Sequence, residues 1–185
     1  VAPARLALYR TFSAQEVGIF SAYFNSTAQI SLTLLFMVTS VLIPIASQHN
    51  GALDLARLRR LVGPAIAAVW LVFLAGGALA LMAFGRHEYP LRLDWLALFA
   101  AAATAILLHG LLAAVMSARD FRGLCLAVAG SLGTGFLNLS LVTLAVPQGS
   151  VAAAAGALLV SYLLGLGFYS LVWPRSIEID DLVAA

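Results

Sequence analysis

Five apolar stretches, each long enough to cross a lipid bilayer, fill most of this chain, and the short connections between them carry nearly all of its charge. They cover residues 17–47, 62–84, 95–117, 124–146 and 151–173. A helix needs about 20 apolar residues to cross a hydrocarbon core about 30 Å thick. Only a helix can cross as a single segment, because lipid offers backbone N–H and C=O groups no partner. The pattern therefore predicts an all-α, polytopic transmembrane helical bundle of about five spanning helices. Residues 1–12 read as the end of a further, upstream helix. The composition agrees: 63% of residues are apolar and 10% charged, where soluble domains run at about 45–50% and about 25%.

The remaining composition narrows the class. Every one of the ten cations is Arg, which reflects codon usage and suggests a GC-rich bacterium. A net charge of +2 gives no reason to expect nucleic acid. The single Cys125 has no internal disulfide partner. Arg5 and Arg10 precede no short apolar core with a small-residue cleavage site, so no signal peptide is read. The chain starts at Val1, and we expect it to be a piece of a longer protein. No low-complexity linker divides residues 1–185, which are read as one transmembrane domain. Residues 174–185, with Glu178, Asp180 and Asp181, are expected to form an exposed cytoplasmic tail.

Local signals place the elements. Ser13 and Glu16 have the spacing of a capping box, so the first spanning helix should begin near Ala14. That helix is overlong and should tilt or project beyond the bilayer. Pro44 should bend its far end by removing a backbone donor. Residues 54–61 read as an amphipathic start to the second helix. Pro64 fits either a kink or a first-turn position. Residues 85–94 form a polar connection, 118–123 a tight basic turn and 147–150 a tight uncharged turn.

Arg57, Arg59, Arg60, Arg119, Arg122 and Arg175 fall on one side, and Arg5, Arg10, Arg86 and Arg92 on the other. The excess of Arg places the first side in the cytoplasm. Trp95 and Trp173, at run ends, suit interfacial anchors. The cluster of Arg57, Arg59, Arg60, Arg119 and Arg122 then serves as a topology determinant and lipid-phosphate contact, or meets a pyrophosphate headgroup.

Polar residues inside the runs are the candidates for function. Ser21, Asn25, Gln29, Thr33 and Ser40 share one face of the first helix, opposite Ile30, Leu34, Val38, Val41 and Ile45. Amides facing hydrocarbon are costly, so this stripe should face protein or water. It serves either as interhelical glue or as the wall of a substrate pathway. His109 is the one ionisable residue deep in a run; it is a pathway candidate or a neutral imidazole bonded to a neighbouring helix. Asn138 is a second amide within a run, open to the same two readings. Small residues recur every fourth position at Gly123, Ala127, Ser131 and Gly135, and at Ala153, Ala157, Ser161 and Gly165. These ladders predict close packing of the fourth and fifth helices. The sequence contains no nucleotide loop, metal-ligand cluster, nucleophile elbow or carboxylate pair, so no enzyme, metal or cofactor is expected.

Several segments resemble a known family. "SAQEVGIFSAYFNSTAQI" and "VTSVLIPIASQ", then "MAFG" at residues 82–85 and "FLNLSLVTLAVPQGSVAAAAGALLVSYL", follow one another in the order and spacing of polysaccharide flippases. Those flippases belong to the multidrug/oligosaccharidyl-lipid/polysaccharide exporter superfamily. One departure is Ala in place of the family's usual first Gly in the last segment. The resemblance covers nearly all of the chain after about residue 9. It implies two six-helix lobes, with the present runs as helices eight to twelve of the C-terminal lobe. It also implies movement of a polyprenyl-pyrophosphate-linked oligosaccharide, such as an O-antigen unit, across the bacterial inner membrane for cell-envelope polysaccharide biosynthesis. The expected partners are the bilayer, the N-terminal lobe and the lipid-linked oligosaccharide. Rival readings are a cation-coupled multidrug exporter of the same superfamily and a fragment of a membrane glycan ligase or acyltransferase. The short outer connections and the lack of deep carboxylates count against these rivals.

Overall fold

The computed structural model describes residue 8 and residues 12–48, 55–84, 89–145 and 150–184; at positions 42, 43, 45–48, 55–63, 84, 119, 145 and 173–184 it describes the backbone alone. The described residues form an all-α bundle in which five helices are long and apolar enough to cross a membrane. The α-helical segments are numbered α1 (Ala14–Phe24), α2 (Ile30–Gln48), α3 (Leu55–Phe84), α4 (Leu93–Arg119), α5 (Phe121–Ala145) and α6 (Val151–Ala184). A π-helical turn, Asn25–Gln29, joins α1 to α2, so these two make one spanning element, Ala14–Val41.

The start of α1 is set as its sequence predicts. The Glu16 N–H donates to Ser13 Oγ at 3.3 Å, and the Ser13 N–H donates to Glu16 Oε2 at 2.9 Å. Two otherwise orphaned amides are thereby satisfied. Of residues 1–12, Leu8 and Phe12 are described; both are buried in the core. The rest of that expected upstream helix lies outside the described residues. α3 runs from Leu55 through Pro64, which therefore sits inside a helix rather than in its first turn. α2 likewise continues through Pro44 to Gln48.

The connection between α4 and α5 is tighter than a basic turn over 118–123. Asp120 alone links the two helices, with extended backbone. Its Oδ1 accepts from the Gly123 N–H and its carbonyl from the Leu124 N–H. An Asp ahead of a helical run is a favoured N-cap. Ser150 caps α6 in the same way, accepting from the Ala152 N–H at 3.2 Å. The rest of the 147–150 turn lies outside the described residues. α6 remains helical to Ala184, so helical backbone extends through most of the segment expected as a tail.

α4 is the central helix. It packs against the α1–α2 element and α3 on one side and against α5 and α6 on the other. Half of its span is buried, against 17% for the α3 span. The reason lies in residues 100–105, where Ala100, Ala102, Ala103, Thr104 and Ala105 are all buried. Side chains this small let neighbours approach from several directions at one level, where lipid supplies no hydrophobic drive and close packing must hold helices together. Phe36, Leu79, Phe136 and Leu171 on the outer helices are mostly exposed. An apolar exterior of this kind suits a bilayer.

The two small-residue ladders fare differently. On α6, Ala157, Ser161 and Gly165 are buried. On α5, Ala127 is buried but Ser131 and Gly135 are exposed, and nothing lies within 4 Å of a Cβ built on Gly135. The buried small and polar positions of α5 are instead Ala127, Gly130, Thr134 and Asn138. A step of four residues overshoots a helical turn of 3.6, drifting by about 40° each time. On α5 this drift carries Ser131 and Gly135 off the buried face, whose positions are spaced by three as well as four residues. Both α5 and α6 pack against α4 and against each other.

Candidate functional site

The polar stripe of the first spanning helix divides at the π turn. Asn25, Gln29, Thr33 and Ser40 are exposed, and Ser21 is half-buried. Between the two amides, Ser26, Thr27 and Ala28 are buried in succession. The Tyr23 carbonyl accepts from Ser26 Oγ at 3.0 Å and from Thr27 Oγ1 at 2.8 Å. A π turn bonds residue i to i+5 in place of i+4, and two hydroxyls from the next turn serve the carbonyl where the ladder widens. One turn further on, Ser31 Oγ donates to the Ala103 carbonyl of α4 at 2.7 Å. Buried Ser31 thus bonds this helix to the bundle, while the residues Asn25 and Gln29 are exposed. Of the apolar positions expected opposite the stripe, Ile30, Val38 and Val41 are exposed too and Leu34 is half-buried, while the Ile45 side chain lies outside the described residues.

His109 sits elsewhere, at the junction of α4, α5 and α6. The residue is 5% exposed. Nε2 lies 3.2 Å from Thr134 Oγ1. Tyr162 meets the imidazole edge-to-face at 5.3 Å between centroids, and Tyr169 lies tilted against it at 4.9 Å. Gly165 makes room for this group. The Tyr169 hydroxyl donates to the Ala127 carbonyl at 3.0 Å, and Ser131 reaches the same hydroxyl at 3.4 Å. Asn138 lies in the α5–α6 interface, where Nδ2 donates to Ser161 Oγ at 3.4 Å. Ser161 Oγ in turn donates to the Ala157 carbonyl at 2.6 Å. The structure thus groups Asn25, Gln29 and Thr33 on one exposed face and places His109 and Asn138 in a second, buried polar layer.

A third polar group closes the end of the bundle where α4 begins. The Tyr23 hydroxyl donates to the Pro90 carbonyl and accepts from the Arg92 N–H at 2.8 Å. Tyr23 packs against Trp95 and Phe99. The Arg92 guanidinium lies 4.3 Å from the Trp95 ring centroid and pairs with Asp94 at 2.7 Å. Its hydrogen bond to that carboxylate holds Arg92 above its already high ordinary pKa. Both partners are well exposed, so the pair adds little to stability.

Of the basic cluster, Arg122 is exposed near the start of α5. The side chains of Arg57, Arg59, Arg60 and Arg119 lie outside the described residues, although their backbone is helical in α3 and α4. A shallow, largely apolar groove between α4 and α5 is lined by Ala113, Ser117, Leu124 and Ser131. Among the described residues no three His, Cys, Asp or Glu side chains cluster.

Reading along the sequence finds the exposed amides and the buried His109, but not the residues that fix them. Thr27 and Gly77 at the π turn carry no periodic signal. Tyr162 and Tyr169, seven residues apart on α6, share a helix face by spacing, yet nothing in their own segment points to His109. No known protein family, curated protein or solved structure matches the chain.

Proposed function

We propose that this chain is the C-terminal lobe of a bacterial flippase carrying polyprenyl-pyrophosphate-linked oligosaccharide across the inner membrane. The observation that carries this reading is the exposed face of Asn25, Gln29 and Thr33 on a membrane-spanning helix. Amides in hydrocarbon are costly, and an exposed polar face on such a helix suits a polar surface or water. A second lobe facing this one across a hydrated cavity provides both. The two lobes rock about that cavity, opening it first inward and then outward. Amides and hydroxyls bind sugar hydroxyls, while the polyprenyl tail stays in the bilayer. Arginines at the cytoplasmic turns, Arg122 among them, attract the pyrophosphate at the loading side. No bond is made or broken, so no catalytic residue is required. The C-terminus lies in the cytoplasm.

The test is export by the full-length protein in cells lacking the native gene. Asn25→Leu and Gln29→Leu should each lower surface polysaccharide severalfold at unchanged protein level. Export at the normal level in both variants would refute the pathway role of this face. Loss of protein in step with export would show that the face packs rather than transports.

A further inference from the structure

α1 and α2 would form one uninterrupted α-helix but for the five residues of the π turn. π turns interrupt the regular ladder and recur at functional sites, and here tertiary contacts on two neighbouring helices hold one in place. Ser26, Thr27 and Ala28 form a wedge that packs against α3 and α4. On α3 the wedge meets Gly77, which is buried. A Cβ at Gly77 would lie 2.8 Å from Thr27 Cγ2, 3.0 Å from Leu96 Cδ1 and 3.5 Å from the Ser26 carbonyl oxygen. Thr27 is β-branched, hence stiff at χ1, and its hydroxyl is committed to the Tyr23 carbonyl. It cannot swing aside, and Leu96 is itself fully buried. Gly77 is therefore a notch that fits the Thr27 methyl.

Seating the wedge determines where its flanking residues emerge. A four-residue step overshoots an α-helical turn but falls short of the wider π turn. The step from Asn25 to Gln29 crosses the π turn and so offsets the drift that α-helical steps accumulate. Both amides come out on the exposed side although the three residues between them are buried. Given the flippase reading, on which this role rests, we infer that Thr27 and Gly77 are positioning residues: their contact locks the π turn so that Asn25 and Gln29 are presented together to the sugar headgroup.

The test uses the full-length protein with Cys125→Ala and a single cysteine at position 25 or 29. Alkylation rates with N-ethylmaleimide are measured in membranes, and their ratio reports the register of the turn. Gly77→Ala should change that ratio at least threefold. Thr27→Ser keeps the hydroxyl and removes Cγ2, so Thr27→Ser with Gly77→Ala should bring the ratio back within twofold of the parent. With Asn25 and Gln29 native, export per folded molecule should fall about tenfold in Gly77→Ala and recover in the double variant. Protein amount and thermal midpoint are followed in parallel. Thr27→Val, which keeps the shape and loses the hydroxyl, is read in place of Gly77→Ala should that variant not accumulate; it should shift the ratio as well. An unchanged ratio in both variants overturns the lock. A changed ratio with unchanged export overturns the positioning role. If the parent protein exports no glycan, the flippase reading falls and the positioning role with it, while the ratio still decides the lock.

Discussion

Gly165 sets how closely α4, α5 and α6 meet. A Cβ there would run into Thr134 Oγ1 and lie 2.8 Å from His109 Cδ2, whereas one on Gly135 meets nothing within 4 Å. Gly165→Ala should therefore destabilise the bundle by about 1–3 kcal/mol through overpacking. Gly135→Ala should be neutral or stabilising, by up to about 1 kcal/mol. Thermal unfolding in detergent compares the two, and equal effects would contradict the packing described. The same contrast applies to two serines that a four-residue repeat treats alike. Ser161 is fully buried between helices, and Ser131 is exposed. Ser161→Leu should cost about 1–3 kcal/mol and Ser131→Leu clearly less, with the folded fraction after mild heating as the measure. At this scale residue type was legible and partnership was not. His109 stands out in an apolar run, but Thr134 and Gly165 lie 25 and 56 positions further on, and a single run carries no record of them.

At the scale of elements, signals confined to one turn could be read directly. The Ser13–Glu16 box lies within four residues and starts α1 where expected. The π turn is the opposite case. Its hydroxyls lie in "NSTAQ", but the notch that receives them belongs to α3, about fifty residues away, so the local sequence reads as ordinary helix. The centrality of α4 is not legible in its own run for a related reason. Its alanines are as apolar as any other run, and their small size matters only once neighbours pack around them. Tyr23 shows how one side chain fixes a connection between elements. It is fully buried, and its hydroxyl bonds both Pro90 and Arg92. Tyr23→Phe keeps the aromatic packing and leaves a carbonyl and an amide without that partner, at a cost of about 1–3 kcal/mol. The start of α4 should loosen. A cysteine at Tyr89, in a Cys125-free background, should be alkylated several times faster in Tyr23→Phe; an equal rate would mean that the aromatic ring alone holds this connection.

For the whole molecule, two independent features bear on how the bundle sits in a bilayer. The apolar exterior, with Phe36, Leu79, Phe136 and Leu171 turned outward, fixes lipid as the surroundings but carries no direction. Direction comes from charge. Arg57, Arg59, Arg60, Arg119, Arg122 and Arg175 lie on one side of the five spans, and four arginines lie on the other. Cytoplasmic connections carry the excess of Lys and Arg, most dependably when they are short. The residue 49–54 connection should therefore face the cytoplasm and the residue 85–92 connection the outside. Single cysteines at Ala52 and Glu88, introduced after replacing Cys125, test this in intact cells with a membrane-impermeant thiol reagent. Position 88 should be labelled at once, and position 52 only after the cells are permeabilised. The reverse pattern would invert the bundle. Arg122 would then lie on the outer face, where it could not attract a pyrophosphate headgroup arriving from the cytoplasm. The exposed Asn25 face lies two residues from Tyr23, which bonds the start of α4, so it too would move toward the cytoplasmic side, and the direction of transport proposed for it would have to be reversed.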